Sequence, residues 1–290
     1  MGMNIKPYVE GINRLALKVE GVVVLQHGEE IARYRWIPEA PRPVHSVSKS
    51  FTSLAVGMAI DEGKLSLKDR VLDAFPGRVP DPSPRLSALT LEHLLTMSRG
   101  HPEYSRPAGV DEALAQPLTA DPGTRFVYDN GSTFLASAMV TAATGQTVRD
   151  FLADRLFAPM DIPDPVWKES ADGHSLGATG LELSAESLAR FGQLLLWRGD
   201  WLGKRLVSAS WIDTATRPHI TTKTLKNADY DLGYGYCFWN CRHGAYRADG
   251  KDGQYVVVLP GEDAVVAIVS DEPNMFPILY AVWDHILPEL

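Results

Sequence analysis

The segment from His45 to Leu65, HSVSKSFTSLAVGMAIDEGKL, carries the clearest structural pattern in this sequence. Apolar side chains recur along it at the spacing of one helix face: Val47, Phe51, Leu54, Ala55 and Met58. Gly63 stands where a glycine commonly ends a helix. The pattern predicts a buried helix that begins at Ser46.

Ser46 and Lys49 are three residues apart, so a helix would place both side chains on one face. A serine hydroxyl is a weak nucleophile without a base. A lysine amine beside a largely apolar helix loses hydration, and its neutral form could then accept the serine proton. The alternative is that Ser46 only caps the helix and Lys49 is solvated, because S-x-x-K is a short pattern.

Two further patterns follow Ser46 and Lys49 in the chain, and each occurs once. Tyr128-Asp129-Asn130 lies in a predicted loop before a helix, and Lys251-Asp252-Gly253 lies just before a predicted strand. Both residues also have a non-catalytic interpretation. Tyr128 could be an aromatic ring packed under a loop, and Lys251 could be a solvated lysine in a turn.

Together, S-x-x-K, Y-x-N and K-x-G resemble the signature of serine β-lactamases and penicillin-binding proteins. The sequence around the motifs is similar to the class C-like branch of this superfamily, which includes family VIII esterases and 6-aminohexanoate-dimer hydrolases. The segments that carry this likeness are SVSKSFTSLAVGMAIDEGKL, LEHLLTMSRG, PGTRFVYDNGSTFLASAMV, GATGLELSAESLARFGQLLL and ADGKDGQYVVVLP.

The resemblance implies three catalytic residues. Ser46 would be the acylated nucleophile and Lys49 its proton acceptor, while Tyr128 would pass the proton to the leaving group and later help to activate water.

The resemblance also implies four binding positions. Asn130 would hold the substrate carbonyl, and Lys251 would orient the proton network or bind a substrate carboxylate. Gly253 would let the strand backbone approach the substrate, and the backbone N–H groups of Ser46 and Gln254 would form the oxyanion hole.

Asp252 departs from the family pattern, which usually has Thr or Ser there. Its carboxylate would repel the carboxylate of a β-lactam antibiotic. The stretch between the second and third motifs is also short for a class C β-lactamase. We therefore expect a serine hydrolase that cleaves a small ester or amide; the alternatives are a true β-lactamase, a D-amino-acid peptidase, a β-lactam sensor and a non-catalytic homologue.

Strand patterns occur near both ends of the chain, and helical patterns occur between them. The predicted strands are 21–26, 31–36, 235–239, 254–259 and 264–269, with a turn at Asp249-Gly250. The predicted helices after residue 65 are 91–97, 133–144, 148–156, 185–197 and 276–287. This order predicts an α/β (α+β) fold in which both chain ends form one antiparallel sheet, flanked by helices, with an all-helical inserted subdomain. The expected division is 1–63 and 175–290 for the sheet domain and 64–174 for the helical insert, with the active site in the cleft between them.

The composition excludes several functional classes. A formal net charge of −8 disfavours nucleic acid as a partner. No apolar run is long enough for a membrane span, the histidines and cysteines form no metal-binding motif, and no cofactor is predicted. Cys237 and Cys241 are too far apart in a strand for a disulfide, so a cytoplasmic location is expected, or a periplasmic or secreted one if a leader has been removed.

Gly173-His174-Ser175-Leu176-Gly177 matches the G-x-S-x-G nucleophile elbow of α/β-hydrolases. That motif needs a buried strand before the serine and a helix after it, and the flanking residues predict neither. Ser175 is therefore the weaker candidate nucleophile.

Overall fold

The computed structural model describes residues 2–225 and 227–290. A six-stranded antiparallel sheet crosses the molecule in the order β2-β1-β10-β9-β8-β7. Its strands are β1 (Val19–Gln26), β2 (Glu29–Arg35), β7 (Trp239–Asn240), β8 (Tyr246–Gly250), β9 (Gln254–Leu259) and β10 (Ala264–Ser270). Two short pairs add β3 (Arg42–Pro43) with β4 (Glu182–Leu183), and β5 (Asp200–Trp201) with β6 (Lys204–Arg205).

Eleven α-helices lie within the described residues and make the fold a mixed α/β one. They are α1 (Lys6–Arg14), α2 (Ser48–Asp61), α3 (Val71–Ala74), α4 (Pro84–Ser87), α5 (Leu91–Leu95), α6 (Val110–Ala115), α7 (Asn130–Thr144), α8 (Val148–Leu152), α9 (Ala185–Leu196), α10 (Ala209–Thr216) and α11 (Phe276–Ala281). Two π-helical turns, Ala153–Phe157 and Val282–Ile286, extend α8 and α11.

The centre of the sheet is buried on both faces. In β9 every residue is buried, which explains the uninterrupted apolar run from Tyr255 to Leu259. Val256 and Val258 belong to the core shared with α2, α7 and α9, whereas Tyr255 and Val257 belong to the core shared with α1 and α11. Because side chains alternate along a strand, β9 serves both cores at once.

The predicted antiparallel sheet built from both chain ends is confirmed. The predicted helix from His45 is shorter than expected, because Ser46 lies in a 3₁₀ turn, His45–Val47, and α2 ends at Asp61. No element was predicted before the strand 21–26, and this is wrong, since α1 comes first. Its signal was the helical spacing of Tyr8, Val9 and Ile12, which are all buried; Tyr8 and Ile12 pack in the core formed with the sheet.

Two strand boundaries near the carboxyl end are also corrected. The predicted strand 235–239 reduces to Trp239–Asn240, because Cys237 has a left-handed backbone with φ of 65°. Asp249 and Gly250 do not form a turn but end β8, and the turn comes next, where Asp252 and Gly253 have φ of 64° and 87°.

The strands of the six-stranded sheet all fall outside residues 64–174. The division of the chain at residues 63/64 and 174/175 stays a prediction. No helix among the described residues is long and apolar enough to cross a membrane.

Gly57 tests how tightly α2 is packed. A Cβ atom at Gly57 would lie 2.3 Å from Trp211 Cδ1 of α10. We expect Gly57→Ala to lower the free energy of unfolding by about 1–3 kcal/mol, the usual cost of overpacking, although alanine favours a helix by about 1 kcal/mol over glycine. Chemical denaturation measures the change. Gly261→Ala is the control, because a Cβ there meets no atom within 4 Å; a Gly57→Ala protein as stable as wild type would contradict the packing described.

Candidate active site

Ser46 and Lys49 meet where the 3₁₀ turn His45–Val47 leads into α2. Lys49 lies in the first turn of the helix, on the same side as Ser46. The Lys49 Nζ donates a hydrogen bond to Ser46 Oγ at 2.9 Å. The sequence spacing thus brings an amine and a hydroxyl into direct contact.

Lys49 is 1% exposed, which is unusual for a lysine. Its Nζ donates to three acceptors from three parts of the chain: Ser46 Oγ, Asn130 Oδ1 at 2.6 Å and the Ala178 carbonyl at 3.0 Å. Burial disfavours the charged amine and lowers the pKa of Lys49 to about 7, against the opposing effect of acidic groups that include Asp129 and Asp249. The lowered pKa favours the neutral amine at neutral pH, and in that form its two N–H groups can donate to Asn130 and Ala178 while its lone pair accepts from the Ser46 hydroxyl.

The Tyr128 ring packs against Lys49 Nζ. Lys49 Nζ lies 4.8 Å from the centre of the Tyr128 ring, and the ring stacks on Trp239 at 5.6 Å. Burial raises the pKa of Tyr128 well above its usual value, Asp249 adds to this, and a hydrogen bond with Ser46 acts against it. The Tyr128 hydroxyl thus keeps its proton at neutral pH.

Asp129, the middle residue of the second motif, fixes the residues on either side of it. Its side chain caps α7 by accepting hydrogen bonds from the N–H groups of Gly131 and Ser132. It also forms a buried ion pair with Arg99, with 2.7 Å between Arg99 Nε and Asp129 Oδ2. Burial opposes ionisation of Asp129, but Arg99 and the N–H donors outweigh it and hold the pKa of the carboxyl below its usual value. Sequence reasoning missed Arg99, because nothing local links it to Asp129.

Asn130 bridges Lys49 and the cleft mouth. Its Oδ1 accepts from Lys49, and its Nδ2 donates to the Tyr104 hydroxyl at 2.7 Å. Tyr104 is 53% exposed, and its loop is tied to Asp129 through Ser105, whose N–H and hydroxyl both donate to Asp129 Oδ1. A polar chain therefore runs from Lys49 to the surface.

The third motif lies in the turn between β8 and β9. Lys251 borders the cleft with its side chain 77% exposed, and its Nζ lies 3.3 Å from Asp252 Oδ2. Gly253 and Gln254 pack elsewhere: a Cβ at Gly253 would meet Ser270, and the Gln254 side chain donates to the Ser270 carbonyl. The structure thus brings Ser46, Lys49, Tyr128 and Asn130 together, places Lys251 at the rim, and turns Gly253 and the Gln254 side chain toward Ser270.

The end of β8 packs directly against the chain before Ser46, which the sequence did not reveal. A Cβ at Gly250 would lie 2.4 Å from the Val44 carbonyl oxygen, so only glycine permits this approach. The predicted turn at Asp249-Gly250 had obscured this contact.

A cleft of about 740 Å³ opens beside Asn130. Its lining includes His45, Arg106, Lys168, Glu182 and Lys251. Ser175, the competing nucleophile, is fully buried. Across residues 2–225 and 227–290, no three His, Cys, Asp or Glu side chains are grouped to hold a metal ion.

Comparisons with known proteins agree with this architecture. The 6-aminohexanoate-dimer hydrolase of Paenarthrobacter ureafaciens is 25% identical over 287 residues, covering 88% of this chain and 73% of that protein. The lovastatin esterase of Penicillium rubens is 29% identical over 159 residues, covering 43% of this chain and 40% of that protein. The octameric penicillin-binding protein homologue from Pyrococcus abyssi shares the fold with a TM-score of 0.75 at 19% identity, covering 97% of this chain and 76% of that one.

Residues 8–280 match the family model described as Beta-lactamase, which spans the whole sheet and the helices around Ser46. The chain therefore belongs to the Beta-lactamase family and is a serine hydrolase of the β-lactamase fold.

Proposed function

We propose that this protein hydrolyses a small ester or amide through an acyl-enzyme on Ser46. The observation that carries the proposal is the 2.9 Å contact between Lys49 Nζ and Ser46 Oγ, made by an amine that is 1% exposed. A buried amine whose pKa is about 7 is matched to proton transfer at neutral pH.

In the proposed acylation, neutral Lys49 takes the Ser46 proton while Ser46 Oγ attacks the substrate carbonyl carbon. The proton then reaches the leaving oxygen or nitrogen through the Tyr128 hydroxyl. The high pKa of Tyr128 supports a relay that gives up one proton as it gains another, and it disfavours a stable phenolate. Asn130, fixed by Lys49 and Tyr104, would orient the substrate carbonyl.

The developing oxyanion needs two N–H donors. The Ser46 N–H is one candidate. For the second, the close approach of Gly250 to Val44 favours the N–H of Lys251, which directly follows β8, over that of Gln254, which lies beyond the turn at the start of β9.

The cleft volume of about 740 Å³ suits a small molecule. Among the relatives, one is named as a hydrolase of the 6-aminohexanoate dimer and another as an esterase of lovastatin. We therefore propose that the bond cleaved by this protein is an amide or an ester. A true β-lactamase is less well supported, because the Asp252 carboxylate lies beside Lys251 and disfavours the carboxylate of a β-lactam antibiotic there.

Covalent labelling tests the assignment of the nucleophile. A fluorophosphonate should modify Ser46, because its hydroxyl is the one activated by Lys49, and peptide mass mapping locates the adduct. Ser46→Ala should abolish labelling, whereas Ser175→Ala should leave it intact. An adduct on Ser175 would overturn the proposal.

Paired substitutions test the proton network. Lys49→Ala should slow acylation on the order of 10³-fold and Tyr128→Phe about 10²-fold, the usual effects of losing a positioned proton carrier. Because both act in one network, the double variant should be little slower than the slower single variant. Stopped-flow acylation with p-nitrophenyl butyrate gives the rates.

The melting temperature of Tyr128→Phe is the control, and it should barely change, since the ring that stacks on Trp239 is kept. An unchanged acylation rate for Tyr128→Phe would make the tyrosine a structural residue, and strictly multiplicative losses would mean that the two residues act independently and not in one network.

A further inference from the structure

His45 lines the cleft immediately before Ser46 and has no role in the acylation network above. Its Nε2 lies 3.6 Å from Asp252 Oδ2, and the two side chains are 34% and 12% exposed. The residue that departs from the family's third motif therefore faces an imidazole next to the nucleophile.

Both residues hold a backbone conformation that favours glycine. His45 has φ of 48° and Asp252 has φ of 64°. Non-glycine residues in the left-handed region are strained and cluster at functional sites. Two such residues with their side chains 3.6 Å apart, one of them lining the cleft next to Ser46, indicate a role for these side chains.

The charges around His45 set its protonation state. Burial lowers the pKa of His45, the carboxylates of Asp252 and Asp271 act against this, and the cations Lys251 and Arg106 act with it. The lowered pKa makes neutral imidazole the main form at pH 7, and neutral imidazole can accept a proton.

Access distinguishes His45 from Lys49. Lys49 lies beneath Ser46, 1% exposed and held by three acceptors. The water that cleaves an acyl-enzyme must come from the cleft, where the His45 side chain is exposed.

We propose that His45, and not Tyr128 as the resemblance implies, is the general base of deacylation, with Asp252 as its positioning partner. The inference rests on the acyl-enzyme of the proposed function. A water proton passes to the His45 imidazole while the water oxygen bonds to the acyl carbon. The bond between that carbon and Ser46 Oγ then breaks as the imidazolium returns this proton to Oγ. The carboxylic acid leaves, and the Ser46 hydroxyl and the neutral His45 are regenerated.

His45→Gly is the decisive variant, since glycine accepts the left-handed backbone and leaves space for free imidazole. With p-nitrophenyl butyrate, deacylation should fall about 10²-fold while acylation stays within about threefold. Intact-mass analysis should show the acyl group accumulating on Ser46, and added imidazole should restore turnover.

His27→Gly is a matched control. His27 also has a left-handed backbone, with φ of 52°, and its Nδ1 lies 2.9 Å from Asp263 Oδ2, but it sits in the β1–β2 turn. His27→Gly should keep the wild-type rates of acylation and deacylation. A slower deacylation seen only in His45→Gly would therefore be due to the position of His45 in the cleft.

Asp252→Asn adds a second measurement, the pH dependence of deacylation. This dependence would not change if His45 and Asp252 had only a structural role. Removing the carboxylate should lower the pKa of His45, so the fall in deacylation rate on the acid side should shift to lower pH. A normal deacylation rate in His45→Gly, or a loss of acylation equal to that of deacylation, would overturn the inference. Failure to acylate Ser46 in the wild type would instead overturn the proposed function.

Discussion

The burial of one amine, Lys49 Nζ, is the constraint on which the site depends. A lysine that is 1% exposed loses its hydration and must find partners inside the protein. Its three acceptors come from the chain before α2, the first residue of α7 and the segment before β4. The site therefore forms only when these three segments have packed together.

The next layer holds those segments in place. The ion pair between Arg99 and Asp129, with side chains 2% and 1% exposed, fixes the start of α7 and with it Asn130. Removing either partner would leave an uncompensated buried charge, a costly change. Ser105 donates to the same carboxylate and carries the Tyr104 loop. Asp129 thus caps α7, holds the Tyr104 loop at the rim of the cleft and fixes Asn130, which accepts a hydrogen bond from Lys49.

Local spacing was enough to predict the contact between Ser46 and Lys49, whereas Tyr128 and Asn130 were identified through the family resemblance. Ser46 and Lys49 meet because helix geometry brings residues three apart together. Tyr128 and Asn130 flank Asp129, which caps α7, whereas the sequence pattern placed the start of this helix at residue 133. The fold class followed from the order of strand and helix patterns along the chain.

The structure around the third motif could not be predicted from the sequence. Strand β8 contains Arg247 and Asp249, both buried, so it lacks the apolar pattern of a strand. These charges are satisfied by each other and by Tyr230, which is distant in the sequence. Their pairing depends on tertiary packing. For the same reason, the position of Asp252 beside His45 could not be read from K-x-G alone.

Direct titration of Lys49 tests the central claim. Nuclear magnetic resonance of a ¹⁵N,¹³C-lysine-labelled protein follows each side-chain amine, and Lys49→Met identifies the Lys49 signal by its loss. Because burial penalises the ammonium, the folded protein should release the Lys49 proton with a midpoint of about 7, and the amine should be mostly neutral above that pH. A midpoint near the ordinary lysine value of 10.5 would contradict the account, since Lys49 would then be a cation throughout the neutral range.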